Sequence, residues 1–85
     1  MQKRDSYFAA MERTLQELAD RVLTSGEEID ASKRVALSGL RHNWDRMYEA
    51  AQALPDGEEK QRILEALNKQ ETAILRLEQV AASSR

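Results

Sequence analysis

"LSGLRHNWDRMYEAAQALPDGEEKQRIL", residues 37–64, decides the fold of this chain. Leu37, Leu40, Trp44, Met47, Ala51 and Leu54 recur at alternating steps of three and four, the spacing that gathers side chains on one face of an α-helix. Pro55 then ends the pattern, because it disfavours helical geometry at Leu54 and has no N–H to donate. Asp56, followed by Glu59, has the spacing of a capping box that opens a new helix, with Glu58 where the helix dipole favours negative charge. So short a break between two helical segments makes them antiparallel neighbours.

The same periodicity extends in both directions. Downstream, Ile63, Ala66, Leu67, Gln70, Ala73, Ile74, Leu77 and Val80 form one broad face of a helix over residues 57–82, and residues 83–85 read as a frayed tail. Upstream, Phe8, Met11, Leu15, Leu18 and Val22 stripe a helix over residues 6–24. Asp5 or Ser6 caps its start, and Gly26 ends it by taking a left-handed conformation at no steric cost. The middle helix is expected over residues 27–54, with Ser25 and Glu28 as its capping box and Asp30 or Ser32 as alternative caps. Its weakest part is residues 27–35, where Asp30 and Lys33 fall on the stripe while Ile29 and Val35 fall elsewhere around the cylinder.

No segment alternates with period two over β-branched or aromatic residues, so strands have no support. The chain therefore reads as one all-α domain, an up-down-up antiparallel three-helix bundle whose first helix is shorter than the second and third. Stacking these ranges places Phe8, Trp44 and Leu67 in one layer, and brings Leu37 between Leu15 and Ile74. Exposed pairs four apart, Arg13–Glu17, Glu17–Arg21, Arg41–Asp45, Glu58–Arg62 and Glu65–Lys69, each add a few tenths of a kcal/mol.

The totals agree with a small folded chain. Its 85 residues are 41% hydrophobic and 33% charged, which suits a folded core under a solvated exterior better than disorder. There is no Cys, which removes disulfides and thiolate metal sites and favours an intracellular setting. A net charge of -2 argues against a surface built to neutralise many phosphates. No apolar run approaches the roughly 18 residues of a membrane span, and Glu12 and Arg13 interrupt any secretory-signal pattern. A soluble, cytoplasmic protein is expected.

Several residues stand out. Trp44 lies in register with the stripe and is expected in the core, with partner anchoring as its alternative role. His42 lies off the stripe, as a surface histidine does. Gly39 costs about 1 kcal/mol against Ala inside a helix, a cost best justified by close approach of another helix, or else by a kink. Gln70 is polar on an apolar face. It is expected at the rim with its amide in water, or else paired across an interface where it fixes register.

Nothing in the sequence assembles catalytic chemistry: no Cys, a single His without a clear orienting carboxylate, and serines mostly at caps and in the tail. The Glu-x-x-His pairs of di-metal bundles are missing, since Gly39 stands three before His42. Neither "SGEE" nor "PDGEE" has the spacing of a calcium or phosphate loop. No enzyme activity, metal or cofactor is expected.

Length points instead to binding. At 1.5 Å per residue the second and third helices reach about 40 Å and the first about 28 Å, which leaves residues 45–54 and 57–66 as an uncovered two-helix arm. Exposed contiguous apolar surface marks interaction sites. The expected partner surface is Phe8, Trp44, Met47, Tyr48, Ala51, Leu54, Ile63 and Leu64, and the partner is another protein or a second copy of this chain. The competing expectation is a first helix that starts near residue 2, with Lys3, Arg4 and Tyr7 covering the arm. Lys33, Arg34, Arg41 and Arg46, interleaved with aromatic residues, offer a weaker nucleic-acid surface.

Overall fold

The computed structural model describes residues 3–83, with side chains from Phe8 onward. Three α-helices pack together: α1 (Lys3–Ala19), α2 (Ala31–Gln52) and α3 (Glu58–Ser83). A π-helical turn, Asp20–Thr24, continues α1 directly. The described chain contains no strand, and its extents of 42 × 24 × 19 Å make it an elongated rod.

The core follows the stripes. Met11, Leu15, Leu18 and Val22 from the first segment meet Leu37, Leu40, Trp44 and Ala51 of α2 and Leu67, Ile74 and Leu77 of α3 in one buried cluster. Leu67, Ile74 and Leu77 are fully enclosed. Phe8, Met47 and Ile63 are only half-buried against it.

Contacts between α2 and α3 run in opposite order along the two helices. Arg34 donates to the Ala81 carbonyl at 3.2 Å, Arg41 reaches Glu78 and Glu71, the Trp44 indole donates to the Leu67 carbonyl at 2.7 Å, and Lys60 donates to the Gln52 carbonyl at 3.2 Å. Two of these bonds finish helix ends. Gln52 closes α2, Ala81 lies in the last turn of α3, and neither last turn carries a basic residue of its own. Carbonyls there have no intrahelical donor, so a cation from the neighbouring helix both satisfies them and complements the negative end of the dipole.

Helix boundaries differ from the sequence reading in instructive ways. The first helix begins at Lys3 and runs through Asp5 and Ser6, so neither caps it. Its end is as expected at Gly26, which has φ +73°. The Glu27 amide donates to Arg21 O and the Ser25 amide to Asp20 O, both at 2.9 Å. Each bond reaches one residue further back than in the usual left-handed stop, because the preceding turn is π-helical.

Residues 26–30 then form a loop, so Ser25 and Glu28 make no capping box and α2 starts four residues later than the expected 27. Asp30 is the cap: in extended conformation, its carboxylate accepts the Lys33 amide at 2.9 Å. Lys33 ties the loop down through Glu27 at 3.3 Å and Asp30 at 3.5 Å. Ile29, in the loop, is buried, whereas Val35 is 73% exposed.

At the other end α2 stops at Gln52 instead of Leu54, two residues ahead of the Pro55 effect. The third helix opens at Glu58, with the Gln61 amide on the Gly57 carbonyl at 3.1 Å, and continues to Ser83. Arg85 and Ser84, part of the expected tail, lie outside the described residues.

These shifts change the comparison of lengths. The α-helical part of the first segment, 17 residues, is the shortest of the three helices. With the 5 residues of the π-turn it matches the 22 of α2. Because α1 starts earlier and the loop before α2 is longer, the turn centre moves along the chain. Each residue of that movement shifts an antiparallel pairing by two. Phe8 consequently does not share a layer with Trp44 but sits beside Met47, Ala51 and Leu54.

Candidate functional site: an apolar cleft beside the α2–α3 turn

The end of the rod near the α2–α3 turn holds a cleft of about 370 Å³. Met47, Ala50, Ala51 and Leu54 supply one wall, Arg62, Ile63 and Ala66 a second, and Phe8, Ala9 and Glu12 a third. The α2 residues reach it because steps of three and four place them on one side of the helix, and Leu54 enters as the chain bends toward Pro55. The volume lies in the range of small-ligand and side-chain pockets, the lining is mainly apolar, and opposite charges stand on its lip at Glu12 and Arg62.

Five of the eight residues expected at a partner surface meet here: Phe8, Met47, Ala51, Leu54 and Ile63. The bare two-helix arm expected from the sequence is corrected, because α1 runs alongside it as a third wall. The covering role considered for Lys3, Arg4 and Tyr7 concerns side chains outside those described. Ala9, Glu12, Ala50, Arg62 and Ala66 were not among the residues expected at a partner surface. Ala66 lies on the α3 stripe, Ala9 and Ala50 carry no periodic signal of their own, and the two charges fall just off their stripes.

Trp44 lies in the core, as its register on the stripe required. It is 6% exposed, its N–H is committed to Leu67, and its ring is stacked on Tyr48 with centroids 5.0 Å apart and planes 13° apart. The Arg41 guanidinium lies 5.3 Å from the Trp44 ring centroid, within cation–π range. Tyr48 and Leu64 are half-buried and line no part of the cleft. Trp44 thus joins α2 to α3 by a hydrogen bond as well as by packing, and it does not line the cleft.

The basic surface on α2 is likewise dispersed. Arg41 binds Glu78 through two nitrogens at 2.9 and 3.1 Å and Glu71 at 3.3 Å, and its expected partner Asp45 lies at 3.8 Å. The Glu78 hydrogen bonds, against the opposing effect of partial burial, hold its guanidinium protonated even more firmly than usual. Lys33 is engaged with Glu27 and Asp30, Arg34 with the end of α3, and Arg46 is exposed. Three of the four cations thus spend their charge on carboxylates or a carbonyl of this same chain, which leaves little to offer phosphates.

Gln70 departs furthest from expectation. It is 6% exposed, not at the rim, and neither atom of its amide has a hydrogen-bond partner among the described residues. Gly39 departs too: a side chain built there would meet nothing within 4 Å, so no helix approaches it closely. His42 is exposed, as expected.

Among the described residues, no group of three or more His, Asp or Glu side chains is placed to hold a metal ion, and no helix is long and apolar enough to cross a membrane. No protein-family model, no curated protein and no solved structure matches this chain, so its function has to be argued from the cleft itself.

Proposed function

We propose that this protein is a non-catalytic protein-protein interaction module, an adaptor, chaperone-like cofactor or inhibitor, whose three helices are arranged up-down-up and whose apolar cleft receives side chains of a partner protein. The carrying observation is the cleft: an open, largely apolar concavity in which half-buried Phe8, Met47, Leu54 and Ile63 converge between small alanines. Leaving such side chains wet forgoes about 25 cal/mol for each Å² that a partner would cover, and contiguous apolar surface of this kind marks interaction sites. Opposite charges at the lip, Glu12 and Arg62, suit a polypeptide rim carrying both signs better than a uniformly anionic nucleic acid or lipid surface.

The reading is tested with a Met47→Asp, Leu54→Asp double variant whose helicity by circular dichroism equals wild type. Wild type is expected to retain a partner protein from native extract that the variant does not, while its own sedimentation mass stays monomeric over a wide concentration range. Equal retention by both proteins overturns the proposal. A wild-type mass that doubles with concentration, and returns to monomer in the variant, replaces it with a self-associating structural subunit.

A further inference from the structure

The cleft does not end at Ala66. A second cleft of about 420 Å³ continues from it along the seam between α1 and α3, sharing Glu12, Arg62 and Ala66 and running on to Ala19 and Ala73. From Phe8 to Ala19 the combined groove follows α1 for about 17 Å, three helical turns. Small residues, Ala9, Ala19, Ala66 and Ala73, sit along both sides of the seam, which lets another backbone come close. The lips alternate in sign, with Glu12 on α1 opposite Arg62, Glu65 and Lys69 on α3.

Gln70 lines this second cleft. It is more than nine-tenths buried, yet its Oε1 and Nε2 are both without a partner. A buried amide with both ends unmade is costly, and buried polar groups in native proteins are nearly always satisfied. Both hydrogen-bonding ends of this amide are therefore unused beside the groove. Among the described residues, the wall beside Gln70 is also the one with no side-chain bond to its neighbours. From Phe8 to Thr24, no side-chain hydrogen bond or ion pair to α2 or α3 is found among the described residues; the interhelical bonds of Arg34, Arg41, Trp44 and Lys60 all join α2 to α3. A shift of the Phe8–Thr24 stretch would leave all of those bonds in place.

We infer that the α1/α3 groove receives a three-turn amphipathic helix of a partner protein, and that Gln70 pairs with a carboxamide or hydroxyl set in that helix's apolar stripe. The inference rests on the function proposed above and names its partner's chemistry. The occupant is a helix because the groove follows α1 for three turns with small side chains along both of its sides. It is a protein because the mixed-sign lips match the mixed flanks of an amphipathic helix. The polar residue in its stripe is what Gln70 selects, as single buried polar residues fix register in coiled coils.

The probe is a displayed library of four-turn helical peptides with apolar residues at i, i+3, i+4 and i+7 and one randomised stripe position, selected on the wild-type protein. Selection is expected to fix Asn, Gln, Ser or Thr at that position. Affinity of the selected peptide is expected to fall about tenfold on Gln70→Met, to change little on Gln70→Met once the peptide's own polar residue is Leu, and to be lost on Glu65→Trp, which fills the lip from an exposed position. Peptides that bind and are lost on Met47→Asp, but are indifferent to Gln70→Met and Glu65→Trp, overturn this inference while leaving the proposed function standing. A library that yields no binder, or a wild-type protein that self-associates until Glu65→Trp returns it to monomer, also overturns it.

Discussion

Gln70 and Gly39 are two residues that work against the stability of the free chain, each for a physical reason that a single substitution isolates. The unmade bonds of Gln70 impose the desolvation cost of an amide without return, so Gln70→Met, near in shape and free of polar atoms, is expected to stabilise the protein by about 1 to 3 kcal/mol. Urea unfolding measures this, and a loss of stability would show that the amide finds partners in solution. Gly39 sits inside α2 with open space where a side chain would project. Gly39→Ala is expected to add about 0.5 to 1 kcal/mol by restricting the unfolded chain and favouring the helix, read as a raised thermal midpoint. A destabilised variant would mean that the helix bends at Gly39 in solution. Neither residue's environment was legible in the sequence. The stripe identified Gln70 as facing inward, but its depth depends on how closely α1 approaches, and Gly39 looked costly without revealing that nothing lies over it.

At the scale of the helices, ends were harder to read than faces. The stripes face the core as their spacing required, with Met11, Leu15, Leu18, Leu37, Leu40, Leu67, Ile74 and Leu77 buried, because that spacing is fixed by helical geometry alone. The start of α2 depended on which of several local hydrogen bonds prevailed, and Ser25, Asp30 and Ser32 all offered one. Asp30 prevails, since its carboxylate binds the Lys33 amide while Ile29 just before it turns into the core. That backbone hydrogen bond, against an opposing desolvation effect and with the added attraction of the Lys33 ammonium, lowers the Asp30 carboxyl below its ordinary 3.8. A carboxylate whose folded value is depressed contributes stability that is complete above the ordinary value and is lost as pH falls through the lowered one. An NMR titration of the Lys33 amide is therefore expected to show a midpoint below 3.8 that vanishes in Asp30→Ala. A midpoint at or above that value would mean the cap is not formed.

For the whole molecule, the all-helical fold with three packed helices was legible because Pro55, Gly26 and the stripes divide the chain without ambiguity, and the Trp44 and Leu67 register was legible because the α2–α3 turn is short and lies close to where Pro55 placed it. The position of α1 was not. Its start at Lys3 had no punctuation to announce it, and the loop from Gly26 to Asp30 moved its register past Trp44 to Met47, Ala51 and Leu54. The proposed docking place is therefore a cleft with three walls in place of a bare arm, and its charged lip, Glu12 and Arg62, became visible only once those walls met. The most direct test of this account is a photo-crosslinking side chain placed at Ala50, an exposed residue on the cleft wall, in otherwise wild-type protein exposed to native extract. The account predicts a discrete crosslinked partner protein that disappears when Met47 and Leu54 are both changed to Asp. Crosslinks that are absent, or identical in the two proteins, would contradict it.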